Sequence, residues 1–201
     1  FKYCLLIYDD MTDDGDGETP RTAVVLDFLP RGSPNDDRPQ YERSPVAFAL
    51  GETDFRLVEA ALTDDAGINI GDRIEIEPPG ENVKTLRTVS YGDLSSTAES
   101  EVEYAIENVI DSNEERFVDF YNDAQPITTR LHVLNLLPGI GKKLRNNVLD
   151  ARKRQPFESF EDIEDRVSGL HNPKDVLIER IIEELREDDL KYCIFARYDE
   201  D

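Results

Sequence analysis

The run Leu136-Leu137-Pro138-Gly139-Ile140-Gly141-Lys142-Lys143 constrains this chain more than any other stretch. A leucine-rich segment enters it, and a basic amphipathic segment, residues 144–154, leaves it. Two glycines flank one apolar residue, where one helix must stop and another begin. Glycine takes the positive φ that such a reversal needs and lets another backbone come close. The pattern predicts a helix over residues 128–136 with Leu131 and Leu134 inward, and a second over 142–154 with Leu144 and Val148 inward. Ile140 turns in to pin the two together. The amides of Gly139, Gly141, Lys143 and Leu144 then crowd at the start of the second helix. Unpaired N–H groups and a positive helix terminus form an anion site, and the natural anion is a backbone phosphate.

Charge supports a phosphate. The 201-residue chain carries a formal net charge of −22. Residues 130–154 hold Arg130, Lys142, Lys143, Arg145, Arg152, Lys153 and Arg154 against Asp150 alone, a net of +6. A basic island in so acidic a chain has the form of a phosphate footprint. The acid itself is unusual in kind: 45 Asp and Glu are spread along the chain, and Arg outnumbers Lys among the 23 basic residues. That balance resembles cytosolic proteins of salt-loving archaea. In concentrated salt, phosphate contacts lose the gain from counterion release, so binding must lean on shape and hydrogen bonds.

A length of 201 residues allows one large domain or two small ones. No apolar run approaches the length of a membrane-spanning helix. The chain starts at Phe1 rather than Met, which leads us to expect that its first residues are incomplete or processed. Residues 1–8 are too short for a signal peptide. Cys4 and Cys193 are the only cysteines, which suits a reducing cytosol and a cytoplasmic protein. With His132 and His171 as the only histidines, no metal-ligand spacing appears. His132 is expected on a helix surface or facing phosphate.

Residues 1–8 read as a short strand and 9–21 as an acidic linker, so that 1–21 forms an extension. Residues 22–28, 46–50, 55–62 and 83–89 are short apolar or β-branched runs, and Ile68, Ile70, Ile74 and Ile76 alternate around Gly71-Asp72. Such an order of short strands and turns predicts a small β-barrel over residues 22–92. The long polar loop at 29–45 carries Arg31, Arg38, Tyr41 and Arg43. At Ser96 the period changes from 2 to 3.6. Ser96-Thr97-Ala98-Glu99 and Ser112-Asn113-Glu114-Glu115 read as capping boxes, opening a helical domain over 93–189. Residues 157–167 continue it. Asn172 caps a last helix with Pro173 at its first position, burying Leu177, Ile181, Ile182 and Leu185. Residues 190–201 form a terminal strand and tail. Phe1-Lys2-Tyr3-Cys4 echoes Leu190-Lys191-Tyr192-Cys193, which leaves open either chance or a paired terminal sheet.

The Leu-Pro-Gly-Ile-Gly-Lys-Lys string, with Pro156-Phe157-Glu158-Ser159-Phe160 after it, resembles the helix-hairpin-helix motif, a sequence-tolerant nucleic-acid binder. In related hairpins, carbonyls at the turn hold a monovalent cation, potassium or sodium. Mapped by position, these are the carbonyls of Asn135, Leu137 and Ile140. The whole arrangement resembles an archaeal family, domain of unknown function 655. The strings that carry the resemblance are Val25-Leu26-Asp27-Phe28-Leu29-Pro30-Arg31-Gly32, Arg38-Pro39, Asn113-Glu114-Glu115-Arg116-Phe117-Val118, Ala124-Gln125-Pro126-Ile127-Thr128-Thr129-Arg130-Leu131-His132, and the hairpin itself. The resemblance implies an α+β protein in which a small OB-like barrel precedes a helix-hairpin-helix domain. It further implies RNA binding, with neighbours in translation and ribosome maturation.

The leading expectation is therefore a non-enzymatic RNA-binding adaptor, acting on ribosomal RNA or with the ribosome. The barrel would supply a single-strand surface through Arg31, Arg38, Tyr41 and Arg43, and the hairpin would clamp phosphates. The competing reading of that loop is one tied down by ion pairs to Asp36 and Asp37. A DNA-binding or DNA-processing protein is the first alternative, although no distinct constellation of base and nucleophile stands out. A protein-interaction module presenting an apolar patch is the second.

Overall fold

The computed structural model describes residues 3–4, 20–33, 37, 39–187 and 189–196, and gives only the backbone of residues 3–4 and 40. The chain divides into two compact units: residues 9–105 with 195–201, and residues 1–8 with 106–194.

The first unit is built on five antiparallel strands: β2 Arg21–Leu29, β3 Val46–Gly51, β4 Leu57–Leu62, β5 Arg73–Glu77 and β6 Val83–Thr88. They form an open, curled half-barrel sheet in the order β5-β2-β3-β4-β6. The central strands read as nearly continuous apolar runs because both of their faces are buried: every residue of β3 is buried, and so are five of the nine in β2. One core cluster joins Ala23, Val25, Ala47, Ala49, Val58, Ala60, Leu62, Ile74 and Ile76. The edges behave differently. β5 alternates exposed and buried residues, and β6 has no buried residue. Their outward positions carry Arg73, Glu75, Lys84 and Arg87, charges that keep an edge from pairing with another chain.

Two expectations are corrected in this unit. Residues 68–70 do not extend a strand; Ile70 is exposed, and residues 69–72 form a turn in which the Asp72 carboxylate accepts from the Asn69 amide at 2.8 Å. β5 then pairs with β2 rather than closing a hairpin with its own predecessor. The cap of the first long helix, α1 Ser96–Ser112, is Ser95, not Ser96. Its hydroxyl accepts from the Ala98 amide at 3.1 Å and donates to the buried carboxylate of Asp27. Asp27 also accepts from the Phe28 amide at 2.8 Å, so each oxygen of this buried side chain has a hydrogen-bond partner. α1 begins in this unit and ends in the other.

The second unit adds α2 Glu114–Asp123, α3 Lys142–Arg154, α4 Phe160–Arg166 and α5 Pro173–Arg186. A parallel two-residue pairing joins β1 Tyr3–Cys4 to β7 Tyr192–Cys193, so the two cysteine-bearing ends do pair. The core gathers Ile106, Phe117, Phe120, Tyr121, Leu134, Val148, Ile163, Leu177 and Ile181. Ile178 is buried where Ile182 was expected, and Ile182 is half-buried. The caps also differ from the sequence patterns. Neither Asn113 nor Asn172 makes a side-chain capping bond to its helix. Asn113 instead donates back to the Val109 carbonyl, closing α1. Ser159 is the functioning cap, accepting from the Asp162 amide at 3.0 Å.

The largest correction concerns residues 128–136. They are not an α-helix. Pro126 and His132 form an isolated bridge, and only Val133–Leu136 coils, as a 3-10 turn. The amides of Ile127 and Thr128 both donate forward to the Leu131 carbonyl, and the Thr128 hydroxyl accepts from the amides of Arg130 and Leu131. A threonine that bonds its own neighbouring backbone offers an alternative to the helical ladder, and here the alternative wins. Among the described residues no helix is long and apolar enough to cross a membrane.

Candidate nucleic-acid interface

The turn at residues 137–141 is built by two buried residues, Leu137 and Ile140, and one left-handed glycine. Ile140 is 4% exposed and turned inward, as its place between two glycines implies. Gly139 takes φ +76°, the conformation an L side chain resists. Gly141 does not: its φ is −81°, and it serves as the N-terminal cap residue of α3. A Cβ on Gly141 would meet open space. Of the two glycines, Gly139 alone takes the positive φ that the reversal needs. Among the described residues nothing requires a glycine there, and no side chain caps the first amides of α3.

Two side chains then set the floor of the site. Asn135 donates to the Ile140 carbonyl at 3.1 Å and accepts from Arg145 Nη1 at 3.0 Å. Arg145 also donates to the Asn146 side chain at 3.1 Å, so its guanidinium is fixed by neutral partners. Around them lies an open depression lined by Thr129, Arg130, Leu131, Asn135, Lys142 and Arg145. Three cations from two segments converge on it, and no carboxylate lines it. On an α-helix Arg130 and Asn135 would point about 140° apart. The loop and 3-10 turn bring both to one side, which is why Thr129 and the Asn135 side chain could not be found from helical spacing.

His132 is not on a helix surface but buried. It is 6% exposed, and its Nδ1 accepts from the Leu134 amide at 3.1 Å, capping the 3-10 turn. Burial pushes its pKa below the ordinary value, and the charges of Arg152 and Arg145 push the same way. A neutral ring with an acceptor at Nδ1 is the form that the cap requires.

The other basic candidates divide by partner. Lys142, Lys143, Lys153, Arg154 and Arg130 are exposed. Arg152 is committed to the protein: it donates to the carbonyls of Tyr121 and Ala124, each at 2.9 Å, at the C-terminus of α2. None of the seven basic residues in 130–154 forms an ion pair among the described residues. The turn carbonyls proposed for a cation are partly occupied. Leu137 accepts from the Ile140 amide at 3.2 Å, and Ile140 accepts from Asn135. The turn is closed by its own bonds at two of those three positions.

On the sheet unit, Arg31 is exposed, Tyr41 is 85% exposed and Arg43 donates to the Ser33 carbonyl at 3.4 Å. Arg38 and Asp36 lie outside the described residues. No group of three or more His, Cys, Asp or Glu gathers to hold a metal ion among the described residues.

A model of the family described as "Protein of unknown function (DUF655)" matches residues 19–197. The chain belongs to this family. It is 38% identical over 180 residues to the uncharacterized protein MJ0038 of Methanocaldococcus jannaschii, covering 88% of this chain and 79% of that protein. It is also similar to Af1531 of Archaeoglobus fulgidus, a DUF655 protein whose crystal structure superposes with a TM-score of 0.79. The identity there is 41%, over 88% of this chain and 99% of the other. Af1531 thus shares this α+β architecture.

Proposed function

We propose that this DUF655 protein binds RNA without catalysing a reaction, gripping backbone phosphates at the start of α3. The observation that carries this is the convergence of Arg130, Lys142 and Arg145 on one depression beside uncovered helix amides. The first-turn amides of α3 have no intrahelical acceptor, and the helix terminus favours an anion. Unpaired cations beside them supply the charge, and Asn135 holds one of them in place. We read the turn as a helix-hairpin-helix whose first helix is shortened to a 3-10 turn, and the sheet as an OB-like half-barrel. Tyr41, exposed beside Arg43, is suited to stack on a base. Ribosomal RNA is the substrate class that the sequence resemblance favours. In salt-rich cytosol, amide contacts would persist where exposed charge pairs are screened.

The test is the triple variant Lys142→Glu, Lys143→Glu, Arg145→Glu, titrated with RNA at several salt concentrations by fluorescence anisotropy. Affinity should fall by about 100-fold or more. The salt dependence should flatten by about 0.7 of a unit of slope for each single-strand phosphate that is no longer neutralised. An unchanged affinity and slope in a folded variant would remove this surface from RNA binding. Tighter binding of DNA than RNA of the same sequence would make the protein a DNA binder.

A further inference from the structure

The turn beside α3 occurs a second time, offset by 30 positions (137 to 167, 139 to 169, 140 to 170). Leu137 ends the 3-10 turn in extended conformation, 2% exposed; Val167 ends α4 in extended conformation, 1% exposed. Two residues later stand Gly139 at φ +76° and Gly169 at φ +93°. Next come Ile140 and Leu170, 4% and 2% exposed. Each donates its amide back across the turn, Ile140 to Leu137 at 3.2 Å and Leu170 to Val167 at 3.1 Å. A helix follows each, α3 and α5. The two turns also meet through α3: Asn147 donates to the Ser168 carbonyl at 2.9 Å, and Leu144 lies 3.7 Å from the Cβ position of Gly169.

The copies have diverged in what an anion would touch. α3 starts directly after Gly141 with its amides intact. α5 starts one residue later, behind Asn172 at φ 47°, and its first residue is Pro173, which has no N–H. Asp175 sits in its first turn, placing a carboxylate where the 30-position offset puts Arg145 in the first turn. Lys174 is held by Glu107 and Asp111, both at 3.0 Å, and His171 lies 3.7 Å from Glu164. Residues 161–175 hold Glu161, Asp162, Glu164, Asp165 and Asp175 against Arg166 and Lys174, a net of −3 beside the +6 of residues 130–154.

We infer that these turns are a tandem repeat of which only the first holds phosphate, so that this unit grips one RNA strand and rejects a duplex. A duplex docked on the first turn brings its second phosphate run against the neighbouring acidic turn, where like charges repel. A single strand presents one run and bends away. The inference rests on the phosphate grip proposed at α3, and the two can fail separately.

The experiment compares one short single-stranded RNA with the same strand annealed to its complement, on the full chain. Wild type should prefer the single strand by about tenfold or more at moderate salt. The variant Glu164→Lys, His171→Lys, Asp175→Lys changes only exposed residues and should bring the two affinities to within about threefold, chiefly by raising duplex binding. Asp175→Asn alone should move the ratio the same way by a smaller step. Equal or tighter duplex binding by wild type overturns the inference, as does a folded triple-Lys variant with unchanged duplex affinity. If the Lys142, Lys143 and Arg145 reversal abolishes binding while wild type takes duplex equally well, only the single-strand inference falls. If that reversal changes nothing, the phosphate grip itself falls.

Discussion

Arginine is used in opposite ways around the sheet and on α3. In the sheet unit Arg21, Arg73 and Arg87 each meet a carboxylate, Glu77 at 3.3 Å, Glu52 at 2.7 Å and Glu59 at 2.8 Å. On α3 Arg145 meets the amide side chains of Asn135 and Asn146, and Arg152 meets two backbone carbonyls, whereas Arg166 and Arg180 on the neighbouring helices pair with carboxylates as the sheet arginines do. A carboxylate fixes a guanidinium and cancels its charge. A neutral acceptor fixes it and leaves the charge to act outward. Net charge alone therefore says little about where an acidic protein can hold an anion. The partner of each cation decides.

The largest expected contrast is between reversing the two kinds of arginine. Arg73→Glu with Arg87→Glu should change RNA affinity less than about threefold while lowering stability by about 1 kcal/mol, since exposed ion pairs contribute little. Anisotropy titration and thermal melting read both quantities. The contrast with the α3 reversal breaks if the sheet pair costs as much affinity as Lys142, Lys143 and Arg145 do.

A smaller contrast separates the two glycines of the turn. Gly139→Ala should cost about 1–2 kcal/mol of stability, because its φ of +76° strains any L side chain, although its Cβ would meet nothing. Gly141→Ser should leave stability unchanged or raise it by a few tenths of a kcal/mol, serine being a better cap. The same change should lower RNA affinity about tenfold, because the side chain covers the α3 amides that phosphate needs. Full affinity in Gly141→Ser would show that those amides touch no ligand.

The smallest effect is a pH dependence. The His132 pKa is lowered in the folded state, first by burial and then by Arg152 and Arg145. The unfolded chain then takes up the proton more readily than the folded one. Its contribution to stability is fully present above about pH 6.5 and is lost as pH falls from there through the folded pKa. His132→Asn keeps an acceptor for the Leu134 amide and should flatten this window in thermal melts. A slope unaltered by the substitution would assign the titration to other groups.

Most of the strands and long helices were legible because their signals are local. β3 reads as a buried strand from Val46-Ala47-Phe48-Ala49-Leu50, and α3 is bounded by Gly141 on one side and by Gln155 and Pro156 on the other. The inward turn of Ile140 follows from its place between two glycines. The segment at 128–136 was not legible, because its helical spacing competes with hydroxyl and bridge bonds whose outcome depends on where Gln125 and His132 are held. The cap at Ser95 was missed for a similar reason. Its hydroxyl is fixed by Asp27, 68 positions away.

The sequence by itself determined the family, the split between strand and helix periods, the basic island and the reversal at residues 137–141. Each depends on residue order, on backbone φ preferences or on summed charge. Only the tertiary structure decided which cations stay available and which brace the fold. Arg145 and Arg152 sit seven residues apart on one helix. Yet one faces the depression and the other fills the C-terminal carbonyls of α2. A guanidinium is committed by acceptors that folding brings to it from distant parts of the chain, and no local pattern encodes that meeting.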